Sequence, residues 1–321
     1  MEVKKPKVLV LVGPTASGKT ALGVALAKKL DGEIISADSM QIYKYMNIGT
    51  AKVTLEEMQG VPHYLVDCVS PDEEFSVAKY KAAALEAIEA ILSKGKLPII
   101  IGGTGLYINS LTLPWDFQKK DSDEIIRWRL TAEAEVLGKE ALFERLKTID
   151  PATAQIVHPN NLNRIIRALE IYELTGKPKS HFDEETKKQE VPYDYVMLGL
   201  DWDRETLYDR INRRVDLMIA EGLIDETKML VERGYDWNLT ALKAIGYKEL
   251  KPYLEGTSTL AEAVTILKRD SRHYAKRQMT WFRKDDRIQW LKMNETRTVE
   301  TQVEEFLNLV MPQLEPINES E

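Results

Sequence analysis

With 321 residues, 44% of them apolar and 30% charged, the chain has material for one large or two smaller globular cores. No apolar run approaches the roughly 20 residues a membrane span requires, the single cysteine, Cys68, excludes an intramolecular disulfide, and His63, His158, His181 and His273 are too scattered for a metal cluster. A net charge of −7 argues by itself against a nucleic-acid partner, which normally meets a basic face, so the distribution of charge has to decide.

The opening "MEVKKPKVLVLVG" runs directly into a strand pattern with no cleavable signal, so a cytoplasmic location is expected. Residues 7–12, "KVLVLV", form a β-branched and leucine run closed by glycine, which fits a fully buried parallel strand. "KTALGVALAKKL" at 19–30 then reads as a helix. "EIISAD" and "KLPIIIGGTG" are two further buried-strand runs, the second preceded by a helical pattern from Ser76, an N-cap, to Gly95, a stop. Strands alternating with helices predict an α/β fold with a doubly wound parallel sheet.

After "LTLPW" the pattern turns charged and helical until the strand "YDYVMLGLD" at 193–201. The expected organisation is a first part of the core over 1–114, an inserted helical subdomain over 115–190, a second, largely helical part of the core over 191–290, and a loosely held C-terminal tail over 291–321. Cys68 reads as a small buried hydrophobe.

"GPTASGKT", comprising Gly13, Pro14, Thr15, Ala16, Ser17, Gly18, Lys19 and Thr20, matches G-x-x-x-x-G-K-[ST] between a strand and a helix, the context that gives this motif its meaning. The glycines let the loop wrap with its amides inward, Lys19 puts a cation among phosphate oxygens, the helix N-terminus adds partial positive charge, and the Thr20 hydroxyl can ligate Mg²⁺. Such a P-loop cradle recognises a diphosphate and not what is attached to it. Phosphoryl-transfer enzymes usually add an aspartate at the end of a later strand, whereas here "PIII" ends in "GGTG".

Asp38 follows "EIIS" at the carboxyl end of a parallel strand, where open α/β sheets assemble their sites. Asp38, Thr104 of the "GGTG" loop and the cradle should therefore face one crevice. An N-cap or turn role is the alternative for Asp38. Ser39 and Gln41 offer groups that can read a base edge. In the helix that begins near Asp203, Leu207, Ile211, Arg214 and Met218 form one inward stripe. Arg214 on that stripe needs an anion, either pyrophosphate or a buried carboxylate. Residues 268–287 hold eight basic residues against three acidic ones. Arg269, Arg272, Lys276 and Arg283 fall near one helical face with Tyr274, Trp281 and Phe282 interleaved. Composition leaves open a solvated charged face and a phosphodiester track.

"GPTASGKT", "SADSMQIY", "VPHYLVD", "FSVAKY", "IGGTGLYI", "NRIIRALEIYELTGKPKS", "AIGYKE" and "AKRQMTWFRK", in this order, together resemble the bacterial tRNA dimethylallyltransferases. Eukaryotic members carry a C-terminal zinc finger, for which this chain lacks the cysteines. The resemblance implies transfer of a dimethylallyl group from dimethylallyl diphosphate to the exocyclic amine of the adenine 3′ of the anticodon, with the base drawn out of its stack. It further implies that the cradle with Mg²⁺ at Thr20 and Arg214 hold the diphosphate, that Asp38 is the general base, and that Thr104 helps to place the adenine. The anticodon stem-loop would be met by Asp38, Ser39, Met40, Gln41 and Thr104, by Arg127, Asn163, Arg164 and Arg167 in the insert, by Lys243, Gly246 and Lys248, and by Lys276, Arg277, Gln278 and Arg283. A monomer with no membrane partner is expected. Two other classes remain open: a small-molecule enzyme, either a nucleotide kinase or a free-adenylate isopentenyltransferase, and a non-catalytic RNA-binding P-loop module.

Overall fold

The computed structural model describes residues 5–115, 123–187 and 189–314. It divides into two compact units, Met1–Asn109 with Pro192–Glu321, and Ser110–Val191. Of the expected regions, 116–122 and 188 in the insert, and 1–4 and 315–321 at the termini, lie outside the described residues. Among the described residues no helix is long and apolar enough to cross a membrane.

In chain order the first unit begins with β1 (Lys7–Val12), α1 (Lys19–Lys29), β2 (Gly32–Ser36), α2 (Leu55–Met58), β3 (His63–Tyr64), α3 (Val77–Leu92) and β4 (Leu97–Gly102), and α4 (Gly105–Thr112) follows. The second unit is helical: α5 (Glu124–Leu137), α6 (Lys139–Ile149), α7 (Pro151–Ile156), α8 (Leu162–Thr175) and α9 (Lys179–Lys187). The first unit resumes with β5 (Asp194–Trp202), α10 (Arg204–Ala220), α11 (Leu223–Glu232), α12 (Lys251–Leu254), α13 (Leu260–Phe282), β6 (Gln289–Met293) and α14 (Val299–Leu314).

All six strands are parallel, in the order β3-β2-β4-β1-β5-β6. Strand β1 is central because both of its faces are apolar: Leu9 and Leu11 join the cluster built with α1 and α14, and Val8, Val10 and Val12 on the opposite face are also fully buried. Leu9 sits opposite Ile99 of β4 and Val196 of β5, which levels the carboxyl ends of the middle strands. Helix α3 starts at Ser76, whose hydroxyl accepts from the Lys79 amide, and Gly95 at φ 72° closes the turn after it, as the sequence suggested.

Two expectations are corrected here. The segment after residue 291 is no loose tail in its described part: β6 extends the sheet, and Val303, Phe306 and Val310 of α14 pack into the α1 cluster. Its Glu and Asn content disguised an amphipathic helix whose apolar residues recur at helical spacing. Cys68 is exposed, since the bridge of Tyr43 to Val69 turns it outward.

Phe306 is fully buried between α14 and the sheet. Phe306→Ala should lower unfolding free energy by about 3–5 kcal/mol, the usual cost of emptying an aromatic core position. Chemical denaturation checks this, and a loss under about 1 kcal/mol would mean that α14 is not part of the cooperative core.

Candidate active site

Three loops meet where β2, β4 and β1 end side by side. The Ala37 amide donates to Ile101 O at 2.7 Å and the Thr104 amide to Ala37 O at 3.1 Å. A Cβ on Gly102 would stand 2.1 Å from Ala37 O, so only glycine lets these strand ends touch. The juxtaposition of Asp38, Thr104 and the Gly13–Thr20 loop expected from strand order is thus built by backbone contacts.

In that loop Ala16 (φ 61°) and Gly18 (φ 88°) adopt left-handed conformations, which turn successive amides toward one concavity at the start of α1. Gly13, Pro14, Ala16 and Ser17 are buried. Lys19 Nζ folds back to donate to Pro14 O at 2.6 Å and to Ser17 Oγ at 3.5 Å. Burial, with the nearby Arg214 cation, pulls the Lys19 ammonium down to about 7 against the opposing pull of Asp38. Both cations therefore converge on a space that an anion would fill. The Thr15 amide is already occupied, donating to Gln278 Oε1 at 2.9 Å, so it is not one of the cradle donors. The Thr20 hydroxyl, in the first turn of α1, makes no hydrogen bond among the described residues. Among the described residues no three His, Cys, Asp or Glu side chains cluster as a metal site. A lone hydroxyl beside a diphosphate suits Mg²⁺, which keeps waters and takes substrate phosphate oxygens as ligands.

Asp38 is half-buried, and its Oδ1 accepts from the amides of Met40 at 2.9 Å and Gln41 at 3.3 Å. The turn role and the site role are thus both present: one oxygen shapes the loop, and the other makes no hydrogen bond among the described residues. Thr104 Oγ1 accepts from the Ser39 amide at 3.0 Å and donates to Ser39 Oγ at 3.3 Å, locking the two loops in register. Arg214 is half-buried one turn beyond Arg210 on α10, with Leu207 and Ile211 of its stripe buried. Burial holds its guanidinium below its ordinary value while Asp38 pulls it upward. Among the described residues it makes no ion pair, so the buried-carboxylate alternative does not account for it.

Several residues expected at the RNA face make hydrogen bonds or apolar contacts within the protein. Gln278 is buried and joins two loops, donating from Nε2 to Gly103 O at 2.9 Å while it accepts from Thr15. Gln41 turns its amide nitrogen onto Thr50 O (3.2 Å) and Ala51 O (3.0 Å), and Met40 packs on the α10–α13 cluster. Gly246 is buried at φ 112°, donating to Glu249 Oε2 at 2.9 Å. Arg272 leaves the basic face to donate to Asn212 Oδ1 at 2.6 Å, tying α13 to α10. Lys243, Lys248, Lys276, Arg277 and Arg283 stay exposed, the last paired with Asp201 at 2.9 Å. Within the helical unit Arg127, Asn163 and Arg164 are exposed, and Arg127 and the half-buried Arg167 pair with the fully buried Glu170 at 3.0 and 2.6 Å.

Other residues were not found from the sequence. Trp202 and Arg210 contact the back of the phosphate loop. Tyr274, one turn before Gln278, reaches Thr104, and burial, then Asp38, pushes its phenol up. Buried Glu226 accepts from the amides of Asn47, Ile48 and Gly49 and from the Tyr247 hydroxyl, pinning the loop that follows Asp38. Only a tryptophan closing a strand immediately before an N-cap aspartate could have signalled the first.

A phosphate-loop cradle without the aspartate at the end of a later strand, with a carboxylate and a threonine facing it, defines a P-loop group-transfer site. The sequence model of the IPP transferase family matches residues 41–285, and the chain belongs to that family. The tRNA dimethylallyltransferase of Acetivibrio thermocellus is 55% identical over 288 residues, covering 90% of this chain and 92% of that one, and that of Alkaliphilus oremlandii is 53% identical over 290, covering 90% and 92%. Among solved structures, the tRNA isopentenylpyrophosphate transferase of Bacillus halodurans superimposes with a TM-score of 0.73 at 47% identity over 97% of both chains. A eukaryotic dimethylallyltransferase described as acting on tRNA gives 0.81 at 30% identity, covering 98% of this chain and 81% of its own.

Lys19 titrates near 7 in the folded chain and near 10.5 when free, so between these values the unfolded chain binds the extra proton and stability of the ligand-free protein rises with pH. An anion beside Lys19 restores its proton. Pyrophosphate binding at pH 8 should therefore take up a proton, read as a buffer-dependent binding enthalpy, and Lys19→Met should abolish the uptake. A wild-type enthalpy independent of the buffer would refute this.

Proposed function

We propose that this chain transfers the dimethylallyl group of dimethylallyl diphosphate to the exocyclic amine of the adenine 3′ of the anticodon in tRNA, releasing diphosphate. The observation that carries the reading is the convergence of Lys19, Arg214 and the half-free Asp38 carboxylate at one crevice, with Lys19 in the field of both other groups and Arg214 in that of Asp38. The names of the relatives support the substrate class.

The adenine amine is a poor nucleophile because its lone pair is delocalised into the ring. As nitrogen bonds to the allylic carbon, the free oxygen of Asp38 accepts the amine proton, and the carbon–oxygen bond to diphosphate breaks. Charge that develops on the leaving diphosphate is met by Lys19, Arg214 and the loop amides of residues 16–20. Mg²⁺ held by Thr20 would supply further neutralisation of that charge. Thr104, fixed by Ser39, stands opposite Asp38 to hold the base edge. The exposed Lys243, Lys248, Lys276, Arg277 and Arg283, with Asn163 and Arg164 of the helical unit, meet the phosphates of the anticodon stem-loop. A single copy of the chain carries every group named, and the reaction belongs to the cytoplasm.

Asp38→Ala should reduce single-turnover prenylation roughly 10²-fold or more, the usual weight of general base catalysis, with tRNA binding retained. Mass spectrometry of tRNA nucleosides after incubation with dimethylallyl diphosphate and Mg²⁺ reads the product. Wild-type enzyme that modifies adenosine monophosphate and leaves tRNA untouched would overturn the substrate.

Neutralising Lys276, Arg277 and Arg283 together removes up to three phosphate contacts, each contributing about 0.7 to the slope of log affinity against log salt, so that slope should flatten by about 2. Titration of the stem-loop at several salt concentrations tests it. An unchanged slope would remove α13 from the RNA face.

A further inference from the structure

A phosphate-binding loop that points its amides inward must point carbonyls outward, and those that are buried need donors. The donors here come from the end of β5 and from α10. Trp202 Nε1 donates to Ser17 O at 2.9 Å, and Arg210 Nε donates to Ala16 O at 2.9 Å. Ala16 holds a left-handed φ of 61°, which is unfavourable for a residue with a Cβ, so an outside tie at this carbonyl stabilises the turn where it is least favourable.

Arg210 is itself fixed on two sides. Its guanidinium lies 4.4 Å over the Trp202 ring, and its Nη1 is 3.8 Å from Glu295 Oε1. Glu295, in the turn between β6 and α14, also pairs with Arg213. Arg210 Nη2 comes within 3.9 Å of where a Cβ on Gly18 would stand, at the head of α1.

We propose that Trp202, Arg210 and Glu295 form a positioning brace that holds the Ala16 turn in its anion-binding shape, so that the β6–α14 segment takes part in diphosphate binding. The inference rests on reading this loop as the diphosphate site. Arg210 acts through the Ala16 carbonyl and the ring beneath it, and its charge alone is insufficient. Lysine, a point ammonium, cannot stack as a plane on Trp202 while donating from a fixed fork.

The test is calorimetric binding of inorganic pyrophosphate with Mg²⁺ to the full chain, alongside anticodon stem-loop affinity and Tm on the same samples. Trp202→Phe keeps the ring and removes the donor. It and Arg210→Ala should weaken pyrophosphate about tenfold or more, the effect of losing a hydrogen bond to a buried or charged group. Arg210→Lys should stay weakened. Glu295→Gln, at an exposed pair, should weaken it about two- to fivefold. Stem-loop affinity should not change in any of them. Wild-type pyrophosphate affinity in Arg210→Ala and Glu295→Gln, or full recovery in Arg210→Lys, would overturn the brace. So would a parallel fall in pyrophosphate affinity, stem-loop affinity and Tm. If Arg210→Ala does not fold, Glu295→Gln decides alone. A wild type that binds pyrophosphate without prenylating tRNA would sink the proposed activity and leave the brace standing, whereas a wild type that binds none would sink both.

Discussion

One side-chain amide holds the site together. Gln278 takes the Thr15 amide on its oxygen and gives a hydrogen to Gly103 O, so a residue late in the chain joins the loop after β1 to the loop after β4. Neither loop can shift without leaving a buried polar group unpaired, a loss of about 1–3 kcal/mol. Because Gln278 lies on the inner face of α13, the exposed cations on the outer face of that helix are fixed in distance from the cradle. The proposed chemistry, with a carboxylate and two cations acting on one amine and one leaving group, would need that kind of rigidity, since positional error of about 1 Å can cost 10²-fold in rate.

The fold was largely legible because its signals are local. Apolar strand runs ending in glycine, a phosphate-loop motif between strand and helix, and an N-cap at Ser76 each depend on a few neighbouring residues, and each appears in the structure at the expected place. Strand order then brought Asp38 and Thr104 to the cradle without any long-range information. The misjudged elements are those whose meaning is set by a distant partner. Gln278 and Arg272 sit in a basic, amphipathic run and look like surface residues until Thr15 and Asn212 are seen across from them. Cys68 reads as a core hydrophobe until the loop from Tyr43 to Val69 is closed. Helix α14 carries Glu300, Glu304, Glu305 and Asn308 among its apolar residues, and its apolar stripe matters only because it packs on α1.

The same division explains the charge. A protein of net charge −7 presents cations on α13 and around residues 243–248, while carboxylates such as Glu226 and Glu170 are buried against backbone amides and arginines. Burying an acid removes its field from the surface only if donors surround it, and both have them. Summed charge was therefore a poor guide to the partner, and its distribution a better one.

The cradle is encoded by residues 13–20, yet β5, which flanks β1, comes from residue 194 onward, the clamp from residue 278 and the helix packed on α1 from residues 299–314. A chain emerging from the ribosome therefore exposes its phosphate-loop sequence well before the residues that tie that loop down, Trp202, Arg210 and Gln278, have been made. A product terminated before residue 278 would lack both the Gln278 clamp and the helix packed on α1, leaving the phosphate loop untied on that side and apolar surface of α1 open to water.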